Sequence, residues 1–138
     1  GFEIYPRSVH RLWDECMAAV GLRQVRISDS WNDPSDWKWR VGQAQEIGLQ
    51  TIINLIYSVS PKHTDEYYAE KPRQAVKLIP FRLCLKDPGG LLTPERTRTL
   101  VPAVLRNANG IPVELHTHLV CGVAAEMLIG QKEDLLTP

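Results

Sequence analysis

The chain has 138 residues, of which 43% are hydrophobic and 23% charged, the size and balance of one foldable domain. Sixteen Lys and Arg against sixteen Asp and Glu leave a formal net charge of zero, which argues against nucleic-acid binding through cationic excess. No apolar run approaches the ~18 residues of a membrane span. The three cysteines, Cys16, Cys84 and Cys121, are an odd number at wide spacings, so a cytoplasmic α/β domain is expected rather than a disulfide scaffold.

Along the chain one pattern repeats: an amphipathic helix, a Gly or Pro break, then a short β-rich run. Tyr5-Pro6-Arg7 opens the first helix, with Val9, Trp13, Cys16 and Val20 on one face at helical spacing. Gly21 stops it. Gln24-Val25-Arg26-Ile27-Ser28 alternates with period two and reads as a strand. Asp33-Pro34 reads as an N-cap followed by proline at the first helical position. Trp37, Val41, Ala44 and Ile47 form the next stripe, ended by Gly48. Of Trp37 and Trp39, only one can face the core.

The run from Thr51 to Tyr57 is mostly apolar, as in a strand buried on both faces of a parallel sheet. A third helix from Thr64 carries Pro72, which is expected to kink or end it. Arg82 to Lys86 is the third strand, stopped by Asp87-Pro88-Gly89-Gly90. Thr93-Pro94-Glu95 opens a fourth helix that contains Pro102 and closes at Asn109-Gly110. Residues 113–118 form the fourth strand and residues 121–129 a final helix.

Strands alternating with helices, at a step of about 30 residues, imply right-handed βαβ units and a parallel sheet. A closed (β/α)8 barrel needs ~250 residues, so four units make half of one. The half-barrel is expected to expose two strand edges and an apolar barrel-facing surface. A start at Gly1, with no Met or apolar leader, fits a piece of a longer protein.

The strongest chemical signal is His116-Thr117-His118 at the end of the last strand. Residues two apart point to one side of a strand, so both imidazoles can converge on one ion. Two polar residues bonded to loops are the plainer alternative. Lys86 sits at the same end of the preceding strand, and sites in parallel α/β sheets gather at the carboxyl ends of strands. Lys86 and Asp29, which follows the first strand, are the candidate catalytic residues. His116 and His118 are the candidate metal ligands. The Asp29 carboxylate can orient a ligand group or a metal-bound histidine. Asp33 reads as a cap, Trp31 as a packing residue, His63 as a loop residue, His10 as a surface residue and Cys121 as an inert thiol. No P-loop, GxGxxG or GxSxG element appears.

Leu83-Cys84-Leu85-Lys86-Asp87-Pro88-Gly89-Gly90-Leu91-Leu92-Thr93-Pro94 and Ile111-Pro112-Val113-Glu114-Leu115-His116-Thr117-His118 resemble segments of the carboxyltransferase domain of the pyruvate carboxylase, oxaloacetate decarboxylase and transcarboxylase family. That family's pattern is close to I-K-D-M-A-G-L-L-x-P followed by P-I-x-L-H-T-H. Val25 to Asp33 resembles its F-R-I-F-D-A-x-N-D, and Ser58 to Tyr68 its Y-T-x-S-P-x-H-T-x-E-Y-Y.

The resemblance implies that residues 1–138 are part of a TIM-type (β/α)8 barrel. It implies a carbamylated Lys86 that holds a divalent metal with His116 and His118, the donor set admitting zinc, manganese or cobalt. It also implies pyruvate or oxaloacetate as substrate and biotin on a carrier domain or protein. The remaining barrel half, or a homo-oligomer, is the implied structural partner. Further family residues then lie before residue 1 and after residue 138, so the chain alone is expected to be inactive. The departures are Pro88-Gly89 for Met-Ala, Pro72, Ile79-Pro80 for a usual glycine, and Leu119-Val120-Cys121-Gly122 for D-T-S-G. Two other readings stay open. One is an acyl-CoA lyase or synthase of the same superfamily, such as hydroxymethylglutaryl-CoA lyase, which uses no carbamylated lysine. The other is a non-catalytic barrel piece that associates through its edges.

Overall fold

A computed structural model describes residues 5–119. Four helices alternate with four strands: α1 (Arg7–Ala19), β1 (Gln24–Ser28), α2 (Pro34–Glu46), β2 (Gln50–Ile56), α3 (Asp65–Val76), β3 (Arg82–Asp87), α4 (Pro94–Asn107) and β4 (Val113–Thr117). All neighbouring strands are parallel and their order in the sheet is β1-β2-β3-β4. Each crossover steps one strand in the same direction, so right-handed connections place the crossover helices on a single face. That is the winding of a barrel arc, four consecutive βα units of the TIM type, and not of a doubly wound sheet.

Local chemistry explains the boundaries. Three helices begin on a side chain that accepts a backbone N–H: Asp33 from Ser35 at 2.8 Å, Thr64 from Tyr67 at 3.3 Å and Thr93 from Arg96 at 3.1 Å. Pro34 and Pro94 follow two of these caps, where a missing N–H costs nothing. Pro72 and Pro102 do not end their helices. Pro72 lies on the buried stripe with Tyr68 and Ala75, and packing of that stripe outweighs the local helix penalty. Ile79, where the resemblance led us to expect glycine, adopts φ +54°, a left-handed conformation that is strained for a β-branched side chain.

Alternation along the strands divides the sheet into two faces. The convex face carries Ile27, Ile53, Leu55, Leu83 and Leu85, packed with Trp37, Val41, Tyr68, Leu100 and Val104 in one buried cluster. The concave face is different. Register places Arg26, Ile52 and Arg82 side by side, then Ser28, Asn54, Cys84 and Glu114, then Ile56, Lys86 and His116. This barrel-facing surface is therefore largely polar, not apolar as its position suggested. Ile52 stays buried there between two arginines whose aliphatic stems can cover it.

Arg26 Nη2 of β1 meets Glu114 Oε2 of β4 at 2.6 Å, and Arg82 Nη1 meets Glu114 Oε1 at 3.4 Å. A flat sheet at ~4.8 Å per step would separate β1 and β4 by about 14 Å, so the contact spans an inward-curving surface.

Two further expectations need correction. Helix α1 buries none of its residues, and its stripe faces outward, with Trp13 65% and Val20 79% exposed. Periodicity marks which side is apolar but not what covers it. Trp31 is 72% exposed, while Trp37 is the tryptophan in the core. Trp39 packs at the surface with Arg7 and His10. Cys121 and the helix expected at residues 121–129 lie outside the described residues. Among the described residues no helix is long and apolar enough to cross a membrane.

Candidate functional site

Parallel strands bring all four carboxyl ends to one mouth, where the candidate residues gather. Lys86 and His116 are register partners on β3 and β4. The His118 N–H donates to the Asp87 carbonyl at 3.1 Å, extending that pairing. His116 and His118 consequently share a side, their rings stacked at 5.0 Å between centroids and 18° between planes. Partial burial, followed by the positive charges of Lys86 and His118, holds the His116 imidazole below the ordinary histidine value. The neutral ring is the form that binds metal.

Between the two histidines, Thr117 turns to the opposite face, where its hydroxyl donates to the Asp87 carboxylate at 3.0 Å. Asp87 is fully buried. It also accepts the Leu91 N–H at 2.9 Å and the Leu92 N–H at 3.0 Å. One carboxylate thus fixes both the Lys86 loop and the end of the histidine strand. Sequence reading missed this role, and an aspartate directly after Lys86 and before a Pro-Gly-Gly turn was the available signal.

Asp29 is buried at the mouth, but its carboxylate accepts the N–H groups of Trp31 at 3.3 Å and Asp33 at 2.6 Å. Its hydrogen bonds shape its own loop and include none to Lys86, His116 or His118. Asn32, also missed, latches that loop to β2. At φ +50°, its amide accepts the Ile56 N–H at 2.8 Å and donates to the Ile56 carbonyl at 2.9 Å. Its own carbonyl accepts from Lys71 Nζ at 2.8 Å. Asparagine tolerates that conformation better than most residues.

The loop after β2 is held by Tyr68, whose hydroxyl accepts the Ser58 N–H at 2.8 Å. Desolvation pushes that phenol upward, keeping it protonated. His63 is bonded to Ser60 and packs on Tyr67, as a loop residue. His10 is half-buried between Tyr5 and Trp39. Burial also raises the Cys84 thiol, so it is a poor nucleophile.

The donors present test the fit of a metal. Among the described residues no cluster of three His, Cys, Asp or Glu is placed to hold an ion. Two stacked imidazoles make a half-site, beside which a lysine ammonium opposes a cation. A carbamate on the same nitrogen would remove that charge and add oxygen donors. A divalent ion at the two imidazoles would require Lys86 in that form.

No protein-family model matches the chain. A pyruvate carboxylase subunit of Methanothermobacter thermautotrophicus is 31% identical over 125 residues, covering 89% of this chain and 22% of the relative. The corresponding pyruvate carboxylase subunit of Methanocaldococcus jannaschii is 27% identical over 124 residues, covering 90% and 22%. The methylmalonyl-CoA carboxyltransferase 5S subunit of Propionibacterium freudenreichii is 25% identical, covering 94% and 26%. Among solved structures, the carboxyltransferase domain of Rhizobium etli pyruvate carboxylase, with pyruvate and biocytin, superposes with a TM-score of 0.85 at 25% identity. It covers 96% of this chain and 23% of that one. The chain thus spans about a quarter or less of these relatives, and the resemblance seen in its motifs extends to its fold.

Proposed function

We propose that the chain is the lysine- and histidine-bearing part of a carboxyltransferase of the pyruvate carboxylase type, acting on pyruvate or oxaloacetate with biotin as the carboxyl carrier. The observation that carries the reading is Lys86 in register with His116, with His118 stacked on it, at the carboxyl ends of parallel strands. Because this reading uses Lys86, it is favoured over an acyl-CoA lyase.

His116 and His118, as neutral imidazoles, and Lys86, as a carbamate, would hold a divalent ion. That ion supplies Lewis acidity toward the keto oxygen and enolate of the substrate. Asp87 orients the histidine strand through Thr117 and keeps the Lys86 loop closed against it. Asp29 acts as a positioning residue, holding the loop that Asn32 ties to β2. The described residues supply only part of a catalytic site, so the isolated chain is expected to bind metal but not to turn over.

Calorimetric titration of the chain with zinc, manganese and cobalt, with bicarbonate present, tests this. Binding is expected in the parent chain and should vanish in the His116→Ala/His118→Ala double variant, with helix content by circular dichroism nearly unchanged. Equal affinity in both proteins would overturn the assignment.

A further inference from the structure

Around Lys86 the acidic side chains are already engaged. Glu114 serves Arg26 at 2.6 Å and Arg82 at 3.4 Å. The Asp29 carboxylate accepts from Trp31 and Asp33, and the Asp87 carboxylate from Leu91, Leu92 and Thr117. One neighbouring carboxamide differs. Asn54 donates an amide N–H to Ser28 Oγ, but its oxygen, Oδ1, is buried without a hydrogen-bond partner among the described residues.

Register fixes where this oxygen stands. Asn54 pairs with Cys84 across β2 and β3, and Ile56 pairs with Lys86. Asn54 is therefore the diagonal neighbour of Lys86 on the concave face. Steps of ~4.8 Å across the sheet and ~6.6 Å along it put their Cα atoms about 8 Å apart, a span that a lysine and a carboxamide cover between them. Asn54 is 1% exposed, so bulk water does not serve the free acceptor, and a buried acceptor without a donor is costly. The other buried atoms without partners belong to Trp37, Thr51 and Gln74, on α2, α3 and the convex side of β2. Position 54 also falls outside every segment that carries the family resemblance.

We propose that Asn54 is a positioning residue for Lys86, its Oδ1 accepting the one N–H that remains when Lys86 becomes a carbamate. The inference rests on the carbamate reading above. Carbon dioxide supplies the group: the neutral amine forms an Nζ–C bond, a proton leaves to water, and a carboxylate with a single N–H results. Conjugation makes that nitrogen planar and a donor only, so it needs one acceptor in a fixed direction. An ammonium carries three donors, and in the unmodified chain it makes no bond to Asn54 Oδ1. With Nδ2 engaged by Ser28, the oxygen is the end of the carboxamide left for a donor. An N–H tied to Asn54 leaves both carbamate oxygens for a cation held by His116 and His118.

The test is carbon-13 NMR of the chain in labelled bicarbonate with zinc present, where a carbamate carbon gives its own resonance. A resonance seen in the parent and absent from Lys86→Ala belongs to Lys86. Asn54→Leu, which keeps the side-chain size and removes the amide, should lower the carbamate equilibrium constant about fivefold, the worth of one hydrogen bond, with helix content by circular dichroism unchanged. Ser28→Ala frees the Nδ2 end without touching the acceptor and should lower the constant about twofold. A constant unchanged in Asn54→Leu, or in Ser28→Ala where Asn54→Leu does not fold, would overturn the proposal and leave the carbamate reading in place. A constant raised in Asn54→Leu would also overturn it, because Asn54 would then be holding the ammonium. Absence of any Lys86-dependent resonance in the parent would remove the carbamate reading and this inference with it.

Discussion

The two faces of the same four strands are built to opposite rules. On the convex side Ile27, Ile53, Leu55, Leu83 and Leu85 are buried beneath helices. The buried Asp87 carboxylate there is fully bonded, whereas Thr51 Oγ1 and Trp37 Nε1 are buried without a partner among the described residues. On the concave side, a few residues away on the same strands, stand Arg26, Ser28, Asn54, Arg82, Lys86, Glu114 and His116. The first face holds the arc together whether or not anything covers its inside. The second presents the charged groups and the two imidazoles. Separating the two tasks by strand parity leaves the concave residues free to carry chemistry at small cost to folding.

Substitutions on the convex face should show the largest effects. Leu85→Ala, at a fully buried position, is expected to cost about 3 kcal/mol, within the ~2–5 kcal/mol of leucine truncations in packed cores. Urea unfolding measures it. A loss below ~1 kcal/mol would mean that the convex core is loosely packed, and the contrast between the faces would fail.

Asp87→Ala comes next, at about 2 kcal/mol, because two backbone N–H groups and the Thr117 hydroxyl lose a charged acceptor. Asp87 belongs to the convex face yet orients the mouth, so this variant should also weaken metal binding. Asp87→Asn keeps the side chain's shape and one carbonyl acceptor, and should restore part of both. A variant that is destabilised but binds metal as well as the parent would show that the two faces do not communicate through this carboxylate.

Much of this division was legible in the sequence. Period-two alternation located β1 and the Asp87-Pro88-Gly89-Gly90 stop located β3 to within a residue, and the Asp33, Thr93 and glycine punctuation marked helix ends because caps and turns depend on local chemistry alone. His116 and His118 were recoverable for the same reason, since two residues on one strand share a side in any sheet. Pairing Lys86 with them needed only the parallel order of β3 and β4.

Features that depend on distant chain segments were not legible. The Asn32 amide completes the backbone of Ile56, 24 positions away, and nothing local to Asn32 announces it. Asp29 read as a free carboxylate at the mouth, whereas its acceptor sites are filled by Trp31 and Asp33. The polarity of the concave face was present in the alternating residues of β1, β3 and β4, but the apolar run of β2 masked it. Only the register rows show that Ile52 and Ile56 of β2 stand on that face among Arg26, Arg82, Lys86 and His116.

The smallest expected effect is the most direct check on the concave face. Glu114→Gln removes the acid shared by Arg26 and Arg82, a change that inside a covered core would leave two unpaired charges. In the open arc all three side chains keep contact with water, Glu114 at 26% exposure. The loss should therefore fall in the range of exposed ion pairs, about 1 kcal/mol or less, and should diminish further in high salt. Urea midpoints at low and high ionic strength read it out. A salt-independent loss above ~2 kcal/mol would mean that the concave face is already shielded from water in this chain, and that Glu114 supports the fold as Leu85 does. A small, screened loss keeps the two faces distinct.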